Sequence, residues 1–543
     1  MLREKEIKSS SYILDILRNI SHTKRLQATI LLSADIFEKG YLSYDRKKRF
    51  FVFRSDVLSE QYIPGQKINI SYLLRETIFE FESTILSVQT TFLTLTVPKI
   101  FKSSFKREYS RYFPKLNEEI HIILDDGTTC EVKNINTSGV SFYNNNIGLK
   151  IEDSIRNICI VFSGNSVCVD TKIKYIISTD TDKLLYGAEF ESIDWFSNYA
   201  LYNYIVKKTY PKVKEITDFS KETIYQLYDE SGYFDLKSRK EIEVSFNNMF
   251  DLMNKIKIYP QIISNPAFYH NNQIYMGASV LRIYNNTFLA QHLAAIPQAR
   301  LFSTSKASIY LSINDYLLCN PHFKYYLTYF DATNKWHNKM YQNIGGFIED
   351  DTKFLYDTLD YFECYFEHYG QNNISTYQSQ ILTNPIEFIK YANNNLPKLY
   401  NQTHGYNIDN FKLSEVKQLY EMAGIYTQRQ LIKITNNNNL IAYGIIEVYS
   451  EGLNLYNVLD MLRLYIVDRN CDMNEVFISA INECKYFFDK YKKKKFNIFV
   501  KLTKDARKSI NIPGVNYDFL VGTVMANRIG SVEYKNLFLN MTR

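Results

Sequence analysis

The sequence predicts a multidomain protein, with two N-terminal antiparallel β-barrels followed by a mixed α/β region built as a tandem. Three observations carry this. Between residues 26 and 190 the chain breaks into short alternating segments separated by Gly, Pro and Asp turns, the spacing of small barrels. After residue 215 helical periodicity alternates with strands, and after residue 411 the same order of elements recurs. A length of 543 residues accommodates three or four domains.

Residues 7–20 read as an amphipathic helix, with Ile13, Leu14, Leu17 and Ile20 on one side. Alternating segments at 26–32, 40–44, 49–54, 67–72 and 78–96 then make a first barrel over 1–100. A second barrel with a capping helix occupies 101–212, its helix running from Ile193 to Tyr210 and ending at Pro211. An α/β domain over 216–350, a helical connection over 351–409 and a second α/β domain over 410–543 follow. The connection is expected to be helical near Thr352–Tyr369 and Pro385–Asn394. In the last domain a hairpin turns at Asn436–Asn439, Leu453–Val467 reads as a strand region, and Glu475–Tyr491 is a long helix.

Composition excludes several classes. The net charge of +6 is small for this size and argues against a dedicated DNA-binding surface. The 7 cysteines are scattered and make no CxxC, so neither a disulfide framework nor a metal site is expected, and a reducing compartment is. The N-terminus has no apolar signal region, and the most apolar run, Leu453–Val467, is broken by polar residues. These features predict a cytoplasmic protein with no transmembrane segment. The 45 tyrosines and 36 phenylalanines read as base composition rather than function.

The stretch that carries chemistry runs from Phe105 to Phe142. It opens with Lys106-Arg107-Glu108-Tyr109-Ser110-Arg111, two arginines four residues apart. It closes with Asn134-Ile135-Asn136-Thr137-Ser138-Gly139 at the start of a strand. Guanidinium forks hold phosphate in a bidentate way and stay charged at cellular pH. A polar turn with a glycine lets backbone approach a planar ligand. Together they are the parts needed for a small, twice-charged nucleotide. The pair resembles the PilZ domain, the bacterial receptor for cyclic di-GMP, whose signature is R-x-x-x-R followed by (D/N)-x-S-x-x-G. Arg107, Arg111, Asn134 and Gly139 match, while Asn136 stands where that family has Ser. The resemblance implies cyclic di-GMP as ligand, held by Lys106, Arg107, Arg111, Asn134, Asn136 and Gly139. The preceding barrel looks like the one that precedes PilZ in flagellar-brake receptors.

Further on, Asn334 and Tyr341, followed by Gly345-Gly346-Phe347, resemble the helix after the fifth strand of the GNAT acyltransferase fold. The resemblance implies that Asn334 touches the acyl-CoA arm and that Tyr341 is a catalytic general acid. The loop that would hold the CoA pyrophosphate carries Gln298, Arg300, Ser303, Thr304 and Lys306 but no glycine. Two readings stay open. One is a cyclic di-GMP receptor that controls a GNAT-like N-acyltransferase using acyl-CoA. The other is a non-catalytic receptor whose GNAT-like region binds a protein partner of motility or the envelope.

Overall fold

The computed structural model describes residues 5–541 except 8–16, 18–19, 21–25, 32–36, 56–57, 59–61, 75–76, 106–110, 116–117, 146–147, 180–182, 235–238, 303–304 and 370–373. The helix expected over 7–20 lies almost wholly outside them. The chain forms two compact units, residues 1–197 with 532–543 and residues 198–531.

The first unit holds both barrels. Its first sheet comprises β1 (Lys5–Ile7), β2 (Leu26–Leu31), β3 (Phe37–Asp45), β4 (Phe50–Arg54), β5 (Lys67–Leu74), β6 (Thr77–Gln89), β7 (Phe92–Leu95) and β8 (Phe101–Phe105). The order is β1-β8-β6-β5-β2-β3-β4-β7, and β7 returns to pair with β6. The long β6 therefore closes six strands into a barrel and carries β8 on its first residues, Thr77–Glu80. Alternation places Phe51, Phe53, Phe79, Phe81, Leu93 and Leu95 inside. The second barrel is closed and antiparallel, in the order β10-β11-β14-β13-β12-β9. Its strands are β9 (Ile120–Ile123), β10 (Thr129–Asn136), β11 (Gly139–Asn144), β12 (Ser154–Phe162), β13 (Asn165–Ser178) and β14 (Leu184–Ser192). Contrary to the reading of scattered cysteines, Cys159 and Cys168 are joined by a disulfide. They stand opposite each other across β12 and β13, a juxtaposition that only the hairpin register reveals.

The second unit is one 13-stranded sheet with helices against it. Its strands are β15 (Val213–Glu215), β16 (Ile263–Ser264), β17 (Pro266–His270), β18 (Gln273–Tyr284), β19 (Thr287–Ala295), β20 (Tyr325–Asp331), β21 (Phe354–Tyr365), β22 (Gln378–Leu382), β23 (Thr427–Asn436), β24 (Asn439–Tyr449), β25 (Met461–Ile466), β26 (Lys495–Val500) and β27 (Val515–Asn527). The order is β15-β17-β18-β19-β20-β27-β21-β26-β25-β24-β23-β22, with β16 beside β18. Two parallel pairs, β19/β20 and β25/β26, mark the two copies of the tandem. Each crosses over through a helix, Ser305–Cys319 and Met473–Asp489, as parallel strands require. β27 lies between β20 and β21, so the copies share strands.

Two expectations are corrected here. Thr352–Tyr369 is not helical but carries β21, whose aromatic residues suit a strand paired on both edges. The strand expected over Leu453–Val467 is confined to β25, because Asn454 and Asn457 form turns before it. The Asn436–Asn439 hairpin is as expected, with Asn437 and Asn438 at φ 48° and 66°, the left-handed pair of a type I′ turn. Among the described residues no helix is long and apolar enough to cross a membrane.

Two buried histidines give this unit a pH dependence. Burial pushes His292 down from 6.5 to about 3. Burial, and next the Arg463 charge, hold His404 well below its ordinary value. Below about pH 6.5 the unfolded chain takes up protons that the folded rings refuse. Stability should therefore fall with acidification from that pH, by up to about 1.4 kcal/mol per pH unit for each ring, and be flat above it. Urea midpoints at pH 7.5, 6.5 and 5.5 check this (pH values spanning roughly the histidine range); equal midpoints would refute it.

Candidate functional site

At the rim of the second barrel, Tyr112 donates its N–H to the Ile135 carbonyl at 2.8 Å and accepts from the Ile135 N–H at 2.9 Å. This isolated bridge is antiparallel, so it sets Arg111 beside Asn136. Asn134 and Asn136 flank Ile135 on the opposite face of β10. Arg111, Asn134, Asn136 and Gly139 thereby line one pocket of about 210 Å³, together with Ser141, Lys174, Tyr175 and Gly187. Lys106 and Arg107 lie outside the described residues.

Several polar groups in the pocket are held. The Asn136 Oδ1 accepts from the Ser138 N–H at 2.9 Å and from Ser138 Oγ at 3.1 Å, which folds the turn into β11. Ser141 Oγ donates to Asn134 Oδ1 at 3.2 Å and is 2.6 Å from the Tyr175 hydroxyl. Gly139 is required by close approach, since a Cβ there would stand 2.5 Å from the Ala188 carbonyl oxygen. Gly187 serves the neighbouring wall, where a Cβ would meet the Tyr175 ring at 2.1 Å. The Tyr175 ring is thus laid across Gly187 and fixed at its hydroxyl. Lys174 bridges Glu189 and Glu152, each at 3.3 Å. Hydrogen bonding to Glu189, then Glu152, raises its ammonium above the ordinary value. Ser141, Lys174 and Tyr175 escape the sequence reading because they belong to no motif. Their signal is only the β-strand alternation of β11 and β13.

Asn136→Asp keeps the oxygen that accepts from Ser138 but replaces the amide with a second anionic oxygen. If the pocket takes a dianionic nucleotide, this change should weaken its binding roughly tenfold, while Asn136→Ser, still able to accept from the Ser138 N–H, should keep it. Calorimetry on both variants checks this; a large loss on the serine change would mean that the pocket depends on the longer side chain.

Among the described residues, those proposed for acyl-CoA do not form a cradle. Gln298 and Arg300 are exposed on the 3₁₀ turn Pro297–Leu301, Lys306 is exposed, and Ser303 and Thr304 lie outside the described residues. The N–H groups of Ala299, Phe302 and Ser305 donate to the loop's own carbonyls, on Ile296, Ala299 and Phe302. Asn334 caps its own helix, accepting from the His337 N–H at 3.2 Å. Tyr341 is 3% exposed and packs on Phe330 and His337. The β19/β20 ladder ends at Ala290 and Thr328. Beyond it, Gln291 donates to the Leu453 carbonyl at 2.7 Å, and Leu455 N–H donates to His292 Nε2 at 3.0 Å. This edge is taken by the chain's own segment, so the described residues do not fit the cofactor.

No protein-family model matches the chain, and no curated protein matches it. Solved structures similar to part of it include the K. pneumonia MrkH–c-di-GMP complex, at 13% identity and a TM-score of 0.31 over 38% of this chain and 96% of that one. YcgR of Escherichia coli in complex with c-di-GMP has 14% identity and a TM-score of 0.30, over 37% of this chain and 90% of that one. A tandem GNAT protein from the clavulanic acid biosynthesis pathway has 8% identity and a TM-score of 0.32, over 58% of this chain and 98% of that one.

Proposed function

We propose that this protein is a receptor for cyclic di-GMP, bound at the pocket of the second barrel. The observation that supports the reading is that Arg111, Asn134, Asn136 and Gly139, separate in sequence, line one pocket. A guanidinium for phosphate, carboxamides for a base edge and a glycine for close approach suit that nucleotide. Titration calorimetry on the full-length protein tests it. Binding at roughly micromolar affinity or tighter is expected, and no heat at that concentration overturns the reading.

In this reading the α/β unit is a binding module for a protein partner rather than an acyltransferase. The self-bonded amides of Ala299, Phe302 and Ser305 and the occupied edge at Gln291 and His292 support it. Nucleotide binding would then alter what the α/β unit presents. Acetyl-CoA titrated with and without cyclic di-GMP should give no binding heat. Acetyl-CoA binding that appears once the nucleotide is added would favour a regulated acyltransferase instead.

A further inference from the structure

The second unit contains a buried charge cluster that the nucleotide reading does not use. Glu447 Oε1 accepts from Arg429 Nε at 2.7 Å, and Glu447 Oε2 from Arg463 Nη1 at 2.8 Å. Glu447 is the one carboxylate among the described residues paired with either guanidinium. All three side chains are within about a hundredth of full burial, at 1%, 1% and 0% exposure. The tyrosines around them do not supply a second negative charge. Burial raises the phenols of Tyr284, Tyr329 and Tyr406, so they stay neutral. Two cations and one anion leave the cluster at +1. A buried charge without a partner is strongly unfavourable, so a missing anion is implied.

Two guanidinium nitrogens of the cluster are left to receive it. Arg463 Nε and Arg429 Nη1 have no hydrogen-bond partner among the described residues. Arg429 lies under the Tyr406 ring, 5.5 Å from its centroid. A Cβ on Gly405 would stand 3.8 Å from Arg429 Nη1. Tyr406 also lines a cavity of about 340 Å³, together with the carboxamides of Asn393, Asn401, Gln402 and Asn407 and with Lys398. Gly405 has a φ of 67°, a left-handed conformation that favours glycine. Tyr406 is held by its hydroxyl, 2.6 Å from that of Tyr465.

We infer that Arg429 and Arg463, reached from this cavity past Tyr406, form a site for the carboxylate of a small organic acid. A planar carboxylate matches the guanidinium fork, and the carboxamides and Lys398 suit a polar remainder. The inference is independent of the nucleotide reading, since every residue belongs to the second unit.

The test is hydrogen exchange on the full-length protein, read on peptides spanning 404–407 and 427–432. Sodium acetate and sodium succinate are titrated against sodium chloride at matched ionic strength. Both carboxylates should slow exchange there about threefold or more at saturation, and chloride should not. Arg429→Gln leaves Glu447 with one matched partner, so it should melt within about 2 °C of wild type and lose the protection. Lys398→Ala, at the exposed mouth, should weaken the succinate effect about threefold with the fold unchanged. Three results would overturn the inference: no protection by either carboxylate, protection that survives Arg429→Gln, or an Arg429→Gln protein that unfolds far below wild type. The last would make Arg429 a plain structural partner of Glu447.

Discussion

Glu447→Gln is expected to destabilise the α/β unit by about 3–5 kcal/mol, because it strands two buried guanidiniums. Burial alone would raise this carboxyl, but Arg429 and Arg463 hold it below its ordinary value, so it is the charged form that the cluster requires. The Tyr284 hydroxyl also donates to Oε2, at 2.8 Å, and loses its charged acceptor. Gln fills the same space, so the loss reports charge rather than packing. Urea unfolding followed on this unit measures it. A loss below about 1 kcal/mol would mean that water or relaxation already neutralises the cluster.

On the proposed receptor reading, Arg111→Ala is expected to weaken cyclic di-GMP binding about tenfold or more. A charge-assisted hydrogen bond is worth about 1.5–3 kcal/mol, and each 1.4 kcal/mol is about tenfold. The backbone bridge through Tyr112 does not involve the Arg111 side chain, so register and fold should persist. Calorimetry measures the affinity, and unchanged far-ultraviolet dichroism separates it from misfolding. Equal affinity in the variant and wild type would remove Arg111 from the site.

Much of this architecture was legible in the residues. Strand alternation revealed both barrels, and the recurrence of element order revealed the tandem. The Asn and Gly positions around Ile135 were readable because a turn into a strand has a short sequence signature. The rest depends on pairings that no local pattern encodes. Tyr175 reaches the pocket only because β13 pairs with β14 opposite Gly187. The Arg429–Glu447–Arg463 cluster joins three strands. Each of these residues, taken alone, reads as an ordinary polar position. Thr352–Tyr369 looked helical because its apolar residues are too dense to show a clean period of two. β21 is covered on both edges and most of its length, so alternation is lost.

The placement of β27 has a consequence for how the protein is made. Until Val515–Asn527 has left the ribosome, β20 and β21 each present an unpaired edge to the cell. The α/β unit cannot close strand by strand as it emerges, since its middle is the last strand to arrive. The barrel strands of the first unit all precede residue 193, although residues 532–543 also belong to that unit. A nascent chain should therefore hold an aggregation-prone α/β intermediate until Val515–Asn527 has been made.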